Sequence, residues 1–172
     1  MKVKKRILVA PLDWGIGHAT RCIPIIKALI RSGFEVILAA DSRPMHLLSV
    51  EFPKLEMIRF KGYNIKYSKY FSMSFSMILQ IPKVLWNIKK ENTALKEIIK
   101  EYRIDSVISD NRFGLYSSKV PCVFITHQLE IQTPYFSDSI RNFNYHYINK
   151  YNACWVMDDE KINLAGNLSK PD

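Results

Sequence analysis

The 172-residue chain has only three cysteines, six glycines and no long apolar run. Cys22, Cys122 and Cys154 are widely spaced, odd in number and free of any C-x-x-C pair, which argues against a disulfide scaffold and fits reduced thiols in a cytoplasmic protein. No stretch approaches the roughly 18 apolar residues of a membrane-spanning helix. The start, Met1 to Arg6, is basic like a signal peptide. The apolar run behind it ends at Asp13 without a cleavage-like site, however, and reads as a first strand. Also absent are a repeat, a low-complexity tract, a G-x-x-x-x-G-K-[ST] phosphate loop, a G-x-S-x-G elbow and any metal-ligand spacing. No metal and no tightly held cofactor are therefore expected.

Acid is missing from one long segment. Between Met57 and Lys90 lie seven basic residues (Arg59, Lys61, Lys66, Lys69, Lys83, Lys89, Lys90) and no Asp or Glu, so this segment carries most of the net charge of +9. It also holds Phe60, Tyr63, Tyr67, Tyr70, Phe71, Phe75 and Trp86. Cations interleaved with aromatics suit an anionic membrane surface, a lipid phosphate or a nucleic acid. A solvated basic face over an ordinary core is an equal reading. Nucleic acid ranks last, because charge alone supports it.

What is present is a soluble globular composition, 48% apolar and 24% charged, in a length that suits one domain. Short apolar runs alternate with helical periodicities. Strands are expected at Ile7–Ala10, Phe34–Ala40, Leu55–Phe60, Ser106–Ser109, Val120–Ile125 and Ala153–Met157. Helices are expected at His18–Ser32, Arg43–Val50 and Tyr135–Tyr151. A longer one carries Ile81, Val84, Leu85, Ile88, Leu95, Ile98, Ile99 and Tyr102, which Pro82 starts or kinks. Strands separated by helices imply parallel βαβ units, hence an α/β, doubly wound, Rossmann-like sheet of about six strands.

In such a sheet ligands bind beyond the carboxyl ends of the strands. Three polar segments qualify: Asp13 to Arg21, Asp110-Asn111-Arg112, and Thr126-His127-Gln128. In the first, Gly15 and Gly17 allow close backbone approach, and the helix behind them directs free N–H groups at an anion or polarised hydroxyl. His18 at this turn is a candidate general base, or a histidine that merely caps the helix. The spacing departs from the dinucleotide fingerprint, since Thr20 stands at the third glycine position. Asp110, Asn111 and Arg112 supply an acceptor, an amide and a forked donor suited to sugar hydroxyls or phosphate, unless Asp110 or Asn111 caps a following helix with Arg112 paired locally. His127 and Gln128 read equally as ligand contacts or structural groups. His46 and His146 fall within helices and are given no chemical part.

The ordered motifs L-D-W-G-I-G-H-A-T-R, I-S-D-N-R-F-G, F-I-T-H-Q and L-A-G-N-L-S, with Pro24 early in the helix, resemble the N-terminal half of GT-B glycosyltransferases. They are most similar to the peptidoglycan N-acetylglucosaminyltransferase family and its bacterial relatives. The resemblance covers essentially the whole chain. It implies one half of a GT-B architecture, with residues 1–160 as the acceptor-side domain and 161–172 opening a connection to a donor-binding domain outside the chain. It further implies an inverting hexosyl transfer from a nucleotide-diphosphate sugar to a hydroxyl acceptor, lipid-linked in some relatives.

On this resemblance His18 is the base, and Asp13, Gly15, Gly17, Thr20, Arg21, Asp110, Asn111, Arg112, His127 and Gln128 bind the acceptor. Lys61, Lys66, Lys69, Phe71, Phe75 and Trp86 would face a membrane at the inner, cytoplasmic side. The partner is a donor-binding domain or separate donor subunit, without which the chain is expected to be inactive. The peptidoglycan enzymes have a richer glycine turn, so their particular acceptor is not implied. A non-catalytic module that binds a partner or membrane is the competing expectation.

Overall fold

The computed structural model describes residues 3–62, 73–127, 129 and 137–158, with the backbone alone at 73–81 and 137. In chain order the elements are β1 (Arg6–Pro11), α1 (Ile16–Arg31), β2 (Glu35–Ala40), α2 (Ser42–Glu51) and β3 (Glu56–Arg59). These are followed by α3 (Met73–Glu101), β4 (Ser106–Asp110), β5 (Cys122–Thr126), α4 (Ser137–Ile148) and β6 (Ala153–Val156). The strands form one sheet in the order β3-β2-β1-β4-β5-β6, and every pairing is parallel. The winding reverses between β1 and β4, where a doubly wound sheet opens a crevice.

Side-chain alternation along the strands fills both faces. Leu8 and Ala10 of β1, Ile37 and Ala39 of β2, Val107 of β4 and Phe124 of β5 share one core with Leu95 and Ile98 of α3. Ile7, Val9, Val36, Leu38, Ala40, Ile108 and Ile125 pack on the opposite face against Ala19, Cys22 and Ile26 of α1 and Leu48 of α2. The near-continuous apolar strands follow from this double burial. Each fully buried Leu or Ile contributes about 1.5–3 kcal/mol.

All six expected strands are present, with three local differences. Helix α1 begins at Ile16, which places His18 inside its first turn. Helix α3 runs on through Pro82 rather than starting there. No helix follows Asp110: the link 111–121 is irregular and tucks inward, with Leu115 buried and Phe113 stacked on Phe124 at 5.4 Å between ring centroids. This removes the reading in which Asp110 or Asn111 caps a helix.

Candidate functional site

The crevice is built from the ends of three strands. Pro11 of β1 is in register with Asp110 of β4, and the Leu12 N–H donates to the Asp110 carbonyl at 3.0 Å. Gly15 precedes α1 with φ +136°, a conformation that strongly favours glycine, and no side chain caps the helix. The first-turn N–H groups therefore receive no hydrogen bond from a capping side chain.

Asp110 is the hub. Its carboxylate is fully buried, a state that a charge tolerates only when paired. Arg21, one turn into α1, grips it with both ends of the guanidinium: Nε donates to Oδ2 at 2.5 Å and Nη2 to Oδ1. His18 Nδ1 lies 3.1 Å from the same Oδ1 and 2.7 Å from Arg21 Nη2. Arg21 Nη1 reaches His127 Nδ1 at 2.6 Å, joining the end of β5 to the group. Burial, then the Arg21 and His18 charges, lower the pKa of His127 below 6.5. Cys22 Sγ completes the floor at 3.6 Å from Asp110 Oδ2. Its thiol is pushed well above its ordinary pKa by burial and then by the Asp110 charge, so it stays protonated.

His18, Arg21, Asp110 and His127 are thus brought together from segments about one hundred residues apart. Asp13 lies on the turn between β1 and α1. Its Oδ1 is buried with no hydrogen-bond partner among the described residues, and Gly62 packs so closely that a Cβ there would overlap the carboxylate. Gly17 is exposed, and a Cβ placed on it would meet nothing within 4 Å. Thr20 is exposed, with its hydroxyl donated back to the Gly17 carbonyl at 2.9 Å. Asn111 holds a left-handed φ of 55°, which asparagine tolerates better than most residues, and donates its N–H to the Ile125 carbonyl. Gln128 lies outside the described residues.

Arg112 is a correction to the sequence reading. It is fully buried and points into the interior, where Nε donates to Glu91 Oε1 at 2.8 Å. Its other nitrogens donate to the carbonyls of Pro11, Phe60 and Lys61. The guanidinium also lies 4.5 Å from the centre of the Phe60 ring. Arg112 therefore ties the ends of β1 and β3 to α3 and has no donor left for a ligand in the crevice. Its partner Glu91 went unnoticed in the sequence. The available signal was an acid on the Ile88–Leu95 face of α3, at a core position.

Of the basic aromatic segment, Lys61 and Trp86 are exposed, Trp86 at 62%, with Lys90 Nζ 5.2 Å from the Trp86 ring centre. Lys66, Lys69 and Phe71 lie outside the described residues, as does the side chain of Phe75. Among the described residues no helix is long and apolar enough to cross a membrane.

The model of the family described as glycosyl transferase family 1 matches residues 5–153. The chain belongs to that family. Solved structures share its fold at low identity, with TM-scores just above one half. MurG of Acinetobacter baumannii superposes with a TM-score of 0.53 at 11% identity, over 92% of this chain and 42% of that one. The calicheamicin glycosyltransferase CalG4 gives 0.56 at 15% identity, over 85% and 38%. A putative UDP-N-acetylglucosamine 2-epimerase from Listeria monocytogenes gives 0.57 at 11%, over 90% and 39%. The Rossmann-like sheet is thus the one found in GT-B glycosyltransferases, and this family member spans less than half the length of each of these structures. No curated protein matches it.

Proposed function

We propose that this chain is the acceptor-binding half of an inverting glycosyltransferase, with His18 as general base and Asp110 as the group that orients it. The contact between His18 Nδ1 and the buried Asp110 carboxylate carries the reading. A proton on Nδ1, donated to Asp110, leaves the Nε2 lone pair free. The acceptor hydroxyl gives its proton to Nε2 while its oxygen bonds to the anomeric carbon of a nucleotide-diphosphate hexose. The bond from that carbon to the diphosphate oxygen breaks, and the nucleotide diphosphate leaves with the electron pair. Inversion follows from one displacement.

The remaining residues fit this assignment. The bare Gly17 leaves room for the acceptor beside the helix N-terminus. Arg21 holds the Asp110 carboxylate in place with two hydrogen bonds. The donor sugar would be held mainly by a second domain or subunit, so the chain alone would be inactive or nearly so.

The test supplies the chain with a donor-binding GT-B domain and measures transfer. His18→Ala should lose on the order of 10²–10⁴ in rate, the usual range for a general base. Unchanged transfer would remove His18 from the mechanism, and robust turnover by the chain alone would overturn the half-enzyme reading.

A second reading rests on the exposed Trp86, with Leu85 beside it at 41% exposure and Lys90 against the ring. Here Lys61–Lys90 docks on an anionic bilayer, which would bring a lipid-linked acceptor to the same crevice or serve as the chain's whole task. Co-sedimentation with vesicles of anionic lipid should fall with Trp86→Ala and with reversal of Lys83 and Lys89. Binding that ignores those changes counts against it.

A further inference from the structure

His127 meets Arg21 in a way that fixes which of its ring nitrogens holds the proton. Arg21 Nη1 lies 2.6 Å from His127 Nδ1. A guanidinium has only N–H donors and stays charged, so Nδ1 must present its lone pair. The proton of the neutral ring is therefore on Nε2. The imidazolium form is disfavoured by the same contact, since an N–H on Nδ1 would face an N–H on Nη1. Burial, then the charges of Arg21 and His18 on α1, lower the pKa of this ring against the opposing pull of Asp110 on β4.

The two histidines of the crevice are thus unlike. His18 Nδ1 has an acceptor in reach, the Asp110 carboxylate, whereas His127 Nδ1 has only the Arg21 donor. The backbone beside His127 is also pinned. The Ile125 carbonyl accepts from the Asn111 N–H at 3.1 Å and the Thr126 carbonyl from the Met157 N–H at 2.9 Å, so the chain on both sides holds the end of β5. The ring is half-buried, and Nε2 has no partner among the described residues. It is a donor next to the proposed base. The Arg21 charge is matched by Asp110 and the ring itself is neutral, so the oxygen this donor suits is that of a hydroxyl or ether rather than a phosphate.

We propose that His127 contacts the acceptor beside the reacting hydroxyl as a neutral hydrogen-bond donor, with Arg21 as the positioning residue that keeps its proton on Nε2. The tautomer stands on the Arg21 contact alone, and the acceptor as its partner rests on the transferase reading of His18. A His127 that only ties the end of β5 to α1 would use Nδ1 and have no use for an N–H on Nε2.

Imidazole ¹⁵N spectra of the full chain near pH 7.5, with methyl β-D-glucoside as the probe for hydroxyl oxygens, test both parts. His127 should show a protonated Nε2 and an Nδ1 that accepts a hydrogen bond, and the glucoside should shift the Nε2–H signal saturably. Three substitutions, read from the amide shifts of Gly17 and His18, separate the donor from the tie. His127→Gln can accept from Arg21 and donate from its amide, and should hold the probe within about threefold of the unaltered chain. His127→Glu has nearly the same shape and accepts from Arg21 but offers no N–H, and His127→Leu does neither. Both should weaken the probe about tenfold, the size of one lost hydrogen bond. The urea midpoint of His127→Glu should not fall below that of His127→Gln, which shows that the tie to Arg21 survives. A proton on Nδ1 of His127, a glucoside that leaves its Nε2–H signal unmoved, or equal binding by His127→Gln and His127→Glu would overturn the proposal. None of these readouts uses transfer, so loss of the base assignment, read from His18→Ala with a donor domain supplied, is a separate result.

Discussion

His18 Nδ1 lies 3.1 Å from Oδ1 of Asp110, while Arg21 Nη2 approaches the same nitrogen to 2.7 Å. Only one of these contacts can be a hydrogen bond through Nδ1 at a time. If Nδ1 carries the proton, Asp110 accepts it and Nε2 is free to act as a base. If Arg21 donates to Nδ1, Nε2 carries the proton and offers a hydrogen-bond donor instead of a base. Imidazole ¹⁵N shifts of the chain near pH 7.5 decide between them, and the Nδ1–H tautomer is the expected result. Asp110→Asn should disturb that tautomer and, with a donor domain supplied, cost on the order of 10⁴ in transfer, the size seen where an analogous carboxylate–histidine pair is broken. A dominant Nε2–H tautomer in the unaltered chain would end the general-base assignment.

Much of this site was legible in the sequence, though not its internal wiring. The turn from Asp13 to Arg21 stood out because two glycines and a histidine interrupt an apolar strand and an amphipathic helix, both of which are local signals. The Arg21–Asp110 clamp spans 89 residues and leaves no local trace. Arg112 was misassigned because polarity after a strand does not reveal direction. With Asn111 in the left-handed region and the link beyond it packed inward, the arginine meets Glu91 in the interior. Strand periodicity, by contrast, reported the sheet well: Ile7 and Val9 against Leu8 and Ala10 encode both faces in four residues.

Gly15 and Gly17 should part company on substitution. Gly15 sits at φ +136°, so Gly15→Ala should destabilise the fold by more than about 1 kcal/mol. Gly17 is helical with open space around it, so Gly17→Ala should stabilise the fold by about 0.5–1 kcal/mol, through the helix preference of alanine. Urea unfolding of the two variants measures this. If Gly17 is kept bare for an acceptor, Gly17→Ala should also lower transfer while the protein becomes more stable, a combination that a purely structural glycine would not give.

The buried Glu91–Arg112 pair predicts a large stability loss from either half. Glu91→Ala strands a fully buried guanidinium and should cost about 3–5 kcal/mol by denaturant unfolding. Glu91→Met combined with Arg112→Met should recover much of the loss, because neither charge is then left alone. Gly114 belongs to the same junction: a Cβ there would lie 2.5 Å from Glu91 Cβ and 2.6 Å from the Ile88 carbonyl oxygen. Gly114→Ala should therefore also destabilise, by pushing α3 away from the link.

The lowered pKa of His127 fixes the sign of one pH effect. In the unfolded chain the ring takes a proton near 6.5, whereas in the folded chain burial and the Arg21 charge oppose protonation. Between the two values the unfolded state binds more protons, so stability rises with pH across that window. The contribution is complete above about 6.5 and is lost as pH falls through the lower, folded value. The urea midpoint should therefore drop between pH 7 and pH 5, and His127→Gln, which cannot titrate, should flatten that part of the profile. An unchanged slope in His127→Gln would assign the pH dependence to other groups and leave Arg21 without an electrostatic hold on the end of β5.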